Sequence, residues 1–434
     1  MDRTRSPLKP QAWLWTLVAF GFLCQTGLNM ARPQMSYKLI AFGANETVIG
    51  LVTALYALIP VFAAIAMGRL AGRTRRPRLL VGIGGGLIAI GTLVLTLAEG
   101  IPAIAAAAMV FGFGHLIFAI AGQASISRYS TDADLDRGFG WLTASISAGQ
   151  LLGPLLGGLI LGLNHDPAQR LNLINLALWI GTGFGLASIP LMMVKVKLKE
   201  MPALTSQIPT VTEEIPTVGQ ESPRVTINGQ KQPVQKPTTW RILSTPGVPS
   251  NMLASLSMLA VADILTSFLP LVGERAGVSP MWVGVLLATR SASSIISRSM
   301  LTSLSRRWNR TQLVITSLLV SAVTVAVVVT PAIISHVWLA FVLMALAGFF
   351  VGIAQPLTMT MIIKSVPESW RSPALAVRLT GNRVGQVIIP LAAGVAAAPL
   401  GPSGAVWFTC ALLGISGVQQ VVRYAKTGPT EGDH

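Results

Sequence analysis

Charged side chains are rare in the long apolar stretches of this 434-residue chain, and those present are lopsided in sign. Asp263 is the one acid well inside such a stretch, whereas Arg290, Arg298, Arg378 and Arg383 are basic, with Arg32 at an edge and His115 near a centre. An ionisable group in hydrocarbon costs about 2.5 to 3.5 kcal/mol on insertion scales, so each is a functional candidate. A carboxylate among guanidiniums can take up and release a proton, and a spare guanidinium can hold a carboxylate through two parallel hydrogen bonds. Bond-making chemistry has no such support. His115, His165, His336 and His434 are scattered without spaced acid partners, and Cys24 and Cys410 make neither a disulfide framework nor a metal motif. No metal and no cofactor are expected.

The elements that must position these groups follow from composition. The chain is 52% hydrophobic and 11% charged, where a soluble domain is about 25% charged. A helix needs about 20 apolar residues to cross a bilayer. Twelve stretches qualify: 12 to 31, 46 to 67, 79 to 98, 101 to 122, 138 to 162, 170 to 194, 250 to 271, 280 to 302, 311 to 331, 336 to 362, 373 to 397 and 401 to 424. Residues 195 to 249, rich in Pro, Thr, Gln and Val without helical period, read as a mobile linker. The expected domains are therefore 1 to 194, the linker, and 250 to 434, in an all-α membrane protein.

Within this frame Asp263 lies roughly 12 Å below the outer end of its span, and Arg290 and Arg383 roughly 15 Å into theirs, at 1.5 Å per residue. Spans seven and eight are antiparallel neighbours, so an Asp263–Arg290 pair is expected, one that a proton or a substrate carboxylate could compete for. His115, whose intrinsic pKa is about 6.5, is a further coupling candidate. Gln25 and Asn29, about one turn apart in the first span, suit hydrogen bonding to a substrate. Arg32, Tyr56, Gln355 and Asn382 are further lining candidates. Excess positive charge in a wet cavity favours an anionic solute. Arg298 and Arg378 are close enough to the inner interface to snorkel.

The net charge of +16 would suggest nucleic acid in a soluble protein. Its distribution argues for a bilayer instead. With the N-terminus inside, 24 of the 32 Lys and Arg fall in inside segments, four outside and four within spans. That bias places both termini in the cytoplasm of a multi-pass inner-membrane protein. The basic N-terminus ahead of an apolar stretch reads as an uncleaved first helix, because its core is too long for a signal and eleven spans follow. The densest basic segment, "MGRLAGRTRRPRLL" from Met67 to Leu80, holds five arginines and joins spans two and three. It lacks the Gly-x-x-x-x-Gly-Lys-Ser/Thr pattern of a phosphate loop.

The chain also repeats itself. At an offset of about 235 residues, "GQLLGPLLGG" from Gly149 lies over "GQVIIPLAAG" from Gly385, and Gly50 lies over Gly284. Parallel six-helix repeats, related by an axis along the membrane normal, are one known transporter plan, with substrate near the midplane between them.

On two motifs the sequence resembles the major facilitator superfamily. Its helix 2 to 3 pattern, Gly-x-Leu-Ala-Asp-Arg-x-Gly-Arg-Arg, is matched at Gly68, Leu70, Ala71, Arg73 and Arg76, but Gly72 stands where the pattern has an acid and Arg75 where it has a second glycine. The more specific helix 5 pattern of drug and metabolite antiporters, Gly-x-x-x-Gly-Pro-x-x-Gly-Gly, is matched at Gly149, Gly153, Pro154, Gly157 and Gly158. The same glycines suit a close helix-packing face. The resemblance implies twelve helices in two bundles, gating by the first motif, and proton-coupled export, with helix 5 sealing the outer leak. Loss of the acid at Gly72 puts the usual inner latch in question, leaving Asp132, Asp134 or Asp136 as partners for Arg73 and Arg76.

The resulting expectation is a non-enzymatic secondary transporter, exporting a small anionic or amphiphilic solute in exchange for protons. It should act as a monomer in the bilayer, without nucleic acid. Proton-coupled uptake of an organic acid is the alternative that keeps the fold. A polytopic membrane enzyme or lipid-binding protein is the alternative that does not, and it would need a catalytic cluster that the histidines do not supply.

Overall fold

The structure, a computed structural model, describes residues 12–74, 76–130, 135–163, 167–194, 224–227, 230–233, 238–367 and 370–427. Six long helices come first: α1 (Ala12–Ala41), α2 (Glu46–Arg73), α3 (Pro77–Leu97), α4 (Ile101–Tyr129), α5 (Leu135–Leu161) and α6 (Arg170–Met193). Two short antiparallel strands, β1 (Arg224–Ile227) and β2 (Gln230–Pro233), and a five-residue helix, α7 (Thr239–Leu243), fall in the segment read as a linker. Then come α8 (Val248–Arg275), α9 (Pro280–Arg307), α10 (Arg310–Val328), the single turn α11 (Pro331–Ile334), α12 (Val337–Lys364), α13 (Arg371–Leu400) and α14 (Pro402–Thr427).

Twelve of these helices have 19 residues or more, and eleven are both long and apolar enough to cross a membrane. The other is α9, which spans 28 residues but carries Arg290, Arg298 and a series of serines between them. A helix of that polarity is stable at membrane depth only where it lines protein or water. Starts are set locally: Asn45 accepts from the Val48 amide at 3.0 Å to cap α2, and Pro77, Pro280 and Pro402 open their helices where no amide is needed.

Two boundaries differ from expectation for a physical reason. The α1 helix runs to Ala41, ten residues past the expected end, because the charges expected to mark its exit are satisfied inside the protein. Lys38 is 1% exposed and donates to Leu95 O and Thr96 O at 2.8 Å and to Asn175 Oδ1 at 2.9 Å, closing the end of α3. The basic segment after the second span is mostly helix, with α2 continuing to Arg73 and α3 starting at Pro77.

The first six long helices pack on one another, with α1 against α5 and α6 and α3 against α4 and α6; the last six do likewise, with α12 against α9 and α10 and α14 against α8 and α10. The halves meet chiefly through α5 on α9 and α2 on α13. Alternation of direction puts the start of α1, the linker and the end of α14 at one face, here the linker face. The opposite end is the far face.

Candidate functional site: a charged cluster between the halves

Glycine sets the joint between the halves. A Cβ on Gly158 of α5 would stand 2.7 Å from Pro280 O and 2.9 Å from Gly284 Cα, and one on Gly284 would stand 2.5 Å from Pro154 O. The pattern recurs on the other side, where a Cβ on Gly50 of α2 would stand 2.5 Å from Pro390 O and 2.8 Å from Gly394 Cα. Two of the repeated glycine pairs, Gly158 with Gly394 and Gly50 with Gly284, are thus the residues that touch across the halves. The other motif glycines face α1 in their own half: a Cβ would meet Gln25 Cβ from Gly149, Met30 N from Gly153 and Gln34 Nε2 from Gly157, each at 2.6 Å. "GQLLGPLLGG" therefore divides its work, three glycines seating α5 on α1 and Gly158 meeting α9.

Towards the far face, ion pairs add to this closure. Arg170 at the start of α6 grips Glu274 of α8 with both terminal nitrogens, at 2.6 and 2.7 Å, and lies 5.6 Å from the Tyr37 ring centre. The next residue, Arg275, pairs with Glu46 of α2. Successive residues of α8 are therefore tied to both flanks of the other half.

Deeper, Arg32 of α1 donates from Nη2 to Asp263 Oδ1 of α8 at 2.9 Å, with side chains only 13% and 15% exposed. Gln386 of α13 donates to the second carboxylate oxygen at 2.9 Å, and its own carbonyl accepts from Arg383 Nη1 at 3.0 Å. The Arg32 guanidinium lies 4.9 Å from the Tyr56 ring centre, a cation–π distance. The Tyr56 hydroxyl is 2.5 Å from His115 Nδ1. Arg32, Tyr56, His115, Asp263 and Arg383, drawn from α1, α2, α4, α8 and α13, thus form one chain of contacts. The carboxylate's bonded partner is Arg32, not the expected Arg290. Comparable depth did not decide the pairing; the angular position of each side chain around its helix did.

The remaining candidates lie beside this chain. Arg290 is within electrostatic reach of Asp263, Arg32 and Arg298, and its Nε has no hydrogen-bond partner among the described residues. Gln355 of α12 accepts from Arg298 at 3.4 Å, and Asn382 shares Ser255 Oγ with Arg378 at 3.5 and 3.1 Å. Arg378 is 7% exposed, held in the bundle rather than snorkelling. Asn29 donates to Gln25 O at 2.8 Å and to its Oε1 at 3.2 Å, so the two bind each other in the α1–α5 seam.

In the other motif, Gly68, Leu70, Gly72 and Arg73 all lie in the final turns of α2. Space around Gly68 is open, Leu70 is 45% exposed, and Arg73 and Arg76 are exposed, neither side chain bonding to another described residue. Asp132 and Asp134 lie outside the described residues, as does the side chain of Asp136. The end of α2 is held instead by Arg128 of α4, which donates to Thr74 O, a cation at a helix C-terminus.

Sequence reasoning missed Gln386, Lys38 and the two far-face ion pairs. Only Gln386 left a trace, since it falls in the repeated Gly-Gln of "GQVIIPLAAG". No group of three or more His, Cys, Asp or Glu is gathered among the described residues.

A two-half helical bundle with ionised groups bridging its middle is the architecture of a solute transporter, and the chain belongs to the Major Facilitator Superfamily, whose model matches residues 14–334 and 283–433. The Escherichia coli tetracycline resistance protein, class B, is 29% identical over 165 residues, covering 36% of this chain and 39% of that protein. Among solved structures, the nucleoside transporter NupG superposes with a TM-score of 0.70 at 13% identity, over 97% of this chain and 100% of that one. A bacterial homologue of the human lysosomal transporter Spinster, inward-facing and unoccupied, gives 0.68 at 15% identity over 96% of both chains. Peptide transporter POT in complex with sulfate gives 0.63 at 16% over 98% of this chain and 96% of that one. The three solved structures are of transporters, and membership of the superfamily makes this protein a multi-pass membrane transporter rather than an enzyme.

Proposed function

We propose that the protein exports a small organic solute in exchange for protons by alternating access, acting as a monomer in the inner membrane with both termini cytoplasmic. Residues 1 to 194 and 250 to 434 are the two moving bundles, and 195 to 249 tethers them. The observation that carries the reading is the Arg32–Asp263 bond, a partly buried ion pair between the halves. Protonation of Asp263 removes the charge that holds Arg32, so the pair weakens when a proton binds and re-forms when it leaves. A proton can thereby change the balance between two arrangements of the halves. The far-face contacts close the path on one side, and with cytoplasmic termini that side is the outside, so solute enters from the cytoplasm. Tyr56 and His115 extend the network for the proton, and Gly158 with Pro154 seals the outer joint. Export is favoured by the complete helix 5 motif and by the tetracycline resistance relative.

Everted membrane vesicles from expressing cells, incubated with a mixed small-molecule extract under an inside-acid gradient, test the proposal. Solute should accumulate only with the gradient, and Asp263→Asn should abolish the gradient dependence. Accumulation that ignores the gradient, or survives Asp263→Asn unchanged, overturns it.

A further inference from the structure

Resting on the export reading, we propose that the transported solute carries a carboxylate and that Arg290 is its anchor. Charge at the centre of the protein does not balance. Three guanidinium groups lie there, Arg32, Arg290 and Arg383, with one carboxylate, Asp263. Both oxygens of that carboxylate are occupied, one by Arg32 and the other by Gln386. Arg383 is bonded to the Gln386 carbonyl, which turns the amide towards Asp263 and makes Arg383 part of the coupling network. Arg290 is left with an Nε that is shielded from solvent and has no partner among the described residues. The other acids whose side chains are described, Glu46, Glu99 and Glu274, stand at far-face helix ends, and Glu46 and Glu274 are already paired.

Position supports the same assignment. Gly348 of α12 packs so closely on α9 that a Cβ there would stand 2.7 Å from Arg290 Cα, and one on Gly352 would stand 2.7 Å from Ser294 Cα. Two glycines four residues apart therefore fix the backbone from which Arg290 projects. A rigid guanidinium with Nε and a terminal nitrogen along one edge fits a planar two-oxygen acceptor, which a carboxylate supplies and a neutral amide does not. The anion also offsets excess charge that Asp263 cannot neutralise while it holds Arg32. Asp263 and Arg32 are thus the coupling pair, and Arg290 is the solute's counter-ion.

The test uses the full chain in everted vesicles with the same extract, identifying accumulated compounds by mass spectrometry. Compounds that accumulate should carry carboxylates. For the best of them, the carboxamide analogue should be transported at least about tenfold less well, and Arg290→Gln should raise the apparent KM at least about tenfold with the gradient dependence intact. Arg290→Lys should fall between the two, retaining charge without the fork. Neutral or cationic cargo, equal transport of acid and amide, or an unchanged KM in Arg290→Gln overturns the assignment while export stands. Absence of any gradient-driven accumulation overturns both. If Arg290→Gln is not monodisperse after purification, the acid-against-amide comparison on the unmodified protein decides.

Discussion

Replacing Gly158 by alanine separates contacts made in one conformation from contacts made in all of them. The added Cβ would sit 2.7 Å from Pro280 O, against an ordinary contact of 3.4 Å or more, so the α5–α9 joint must open by about 0.7 Å. Both partners are backbone atoms in helices, so no side chain can swing away. Overpacking of this kind costs about 1 to 3 kcal/mol. Because the joint lies between the halves, that cost falls only on the far-face-closed arrangement, and it corresponds to a population shift of about 5- to 150-fold. Spin labels at Glu99 and Ser335, exposed positions in far-face turns of opposite halves, report the separation by electron–electron double resonance. Gly158→Ala should enrich the longer distance, Gly50→Ala should do the same through Pro390 O, and the two should add, since their sites are separate. Gly153→Ala, whose Cβ would meet α1 in its own half, should lower the melting temperature without moving the distribution. Gly183→Ala, with open space around it, should change neither. Equal distance distributions for Gly158→Ala and Gly153→Ala would refute the division of the motif between seating and sealing.

Three other substitutions probe the groups that hold this frame. Arg170→Gln removes a bidentate pair whose side chains are 34% and 26% exposed, so it should shift the same distance distribution by less than about fivefold, and less again in high salt. Lys38→Met leaves Leu95 O and Thr96 O without their buried donor and should cost about 1 to 3 kcal/mol, read as a lower melting temperature by tryptophan fluorescence. Arg128→Ala frees Thr74 O at the end of α2 and should hasten tryptic cleavage after Arg73 by severalfold; an unchanged cleavage rate would mean that the cap does not hold that turn.

Eleven of the twelve expected spans and the mirrored glycines were legible in the sequence, because apolar length and a repeat of identical types are local properties. The end of α1 was not. Arg32 and Lys38 look like exit charges until their partners are known, and those partners lie 231 and 57 residues away in the chain. Asp263 declared itself by type, as any lone acid in an apolar run does. Its partner did not, because depth along a helix follows from residue counting whereas azimuth follows from packing. Gln386 shows the middle case: polar and modest on its own, it became conspicuous only as half of a repeated Gly-Gln pair.

The symmetry of the frame and the asymmetry of its charges do different work. The glycine joints, Gly158 on Gly284 and Gly50 on Gly394, are matched, so parting or closing the far face changes both in the same sense. They are backbone contacts worth mainly dispersion, with one long hydrogen bond, from Thr47 Oγ1 to Gly394 O at 3.4 Å, beside the second, and are easily lost over a small separation. What decides the balance is therefore the set of ion pairs laid over them, Arg170–Glu274, Arg275–Glu46 and Arg32–Asp263. The first two involve partly exposed groups, and such pairs contribute about 1 kcal/mol or less each. Arg32–Asp263 is the most buried of the three and the one with further polar neighbours. A small energy difference between conformations is what lets a single protonation redistribute them, since a ligand moves an equilibrium only by its differential affinity for the two states. Weak symmetric joints are thus the condition that the proposed control by Asp263 requires.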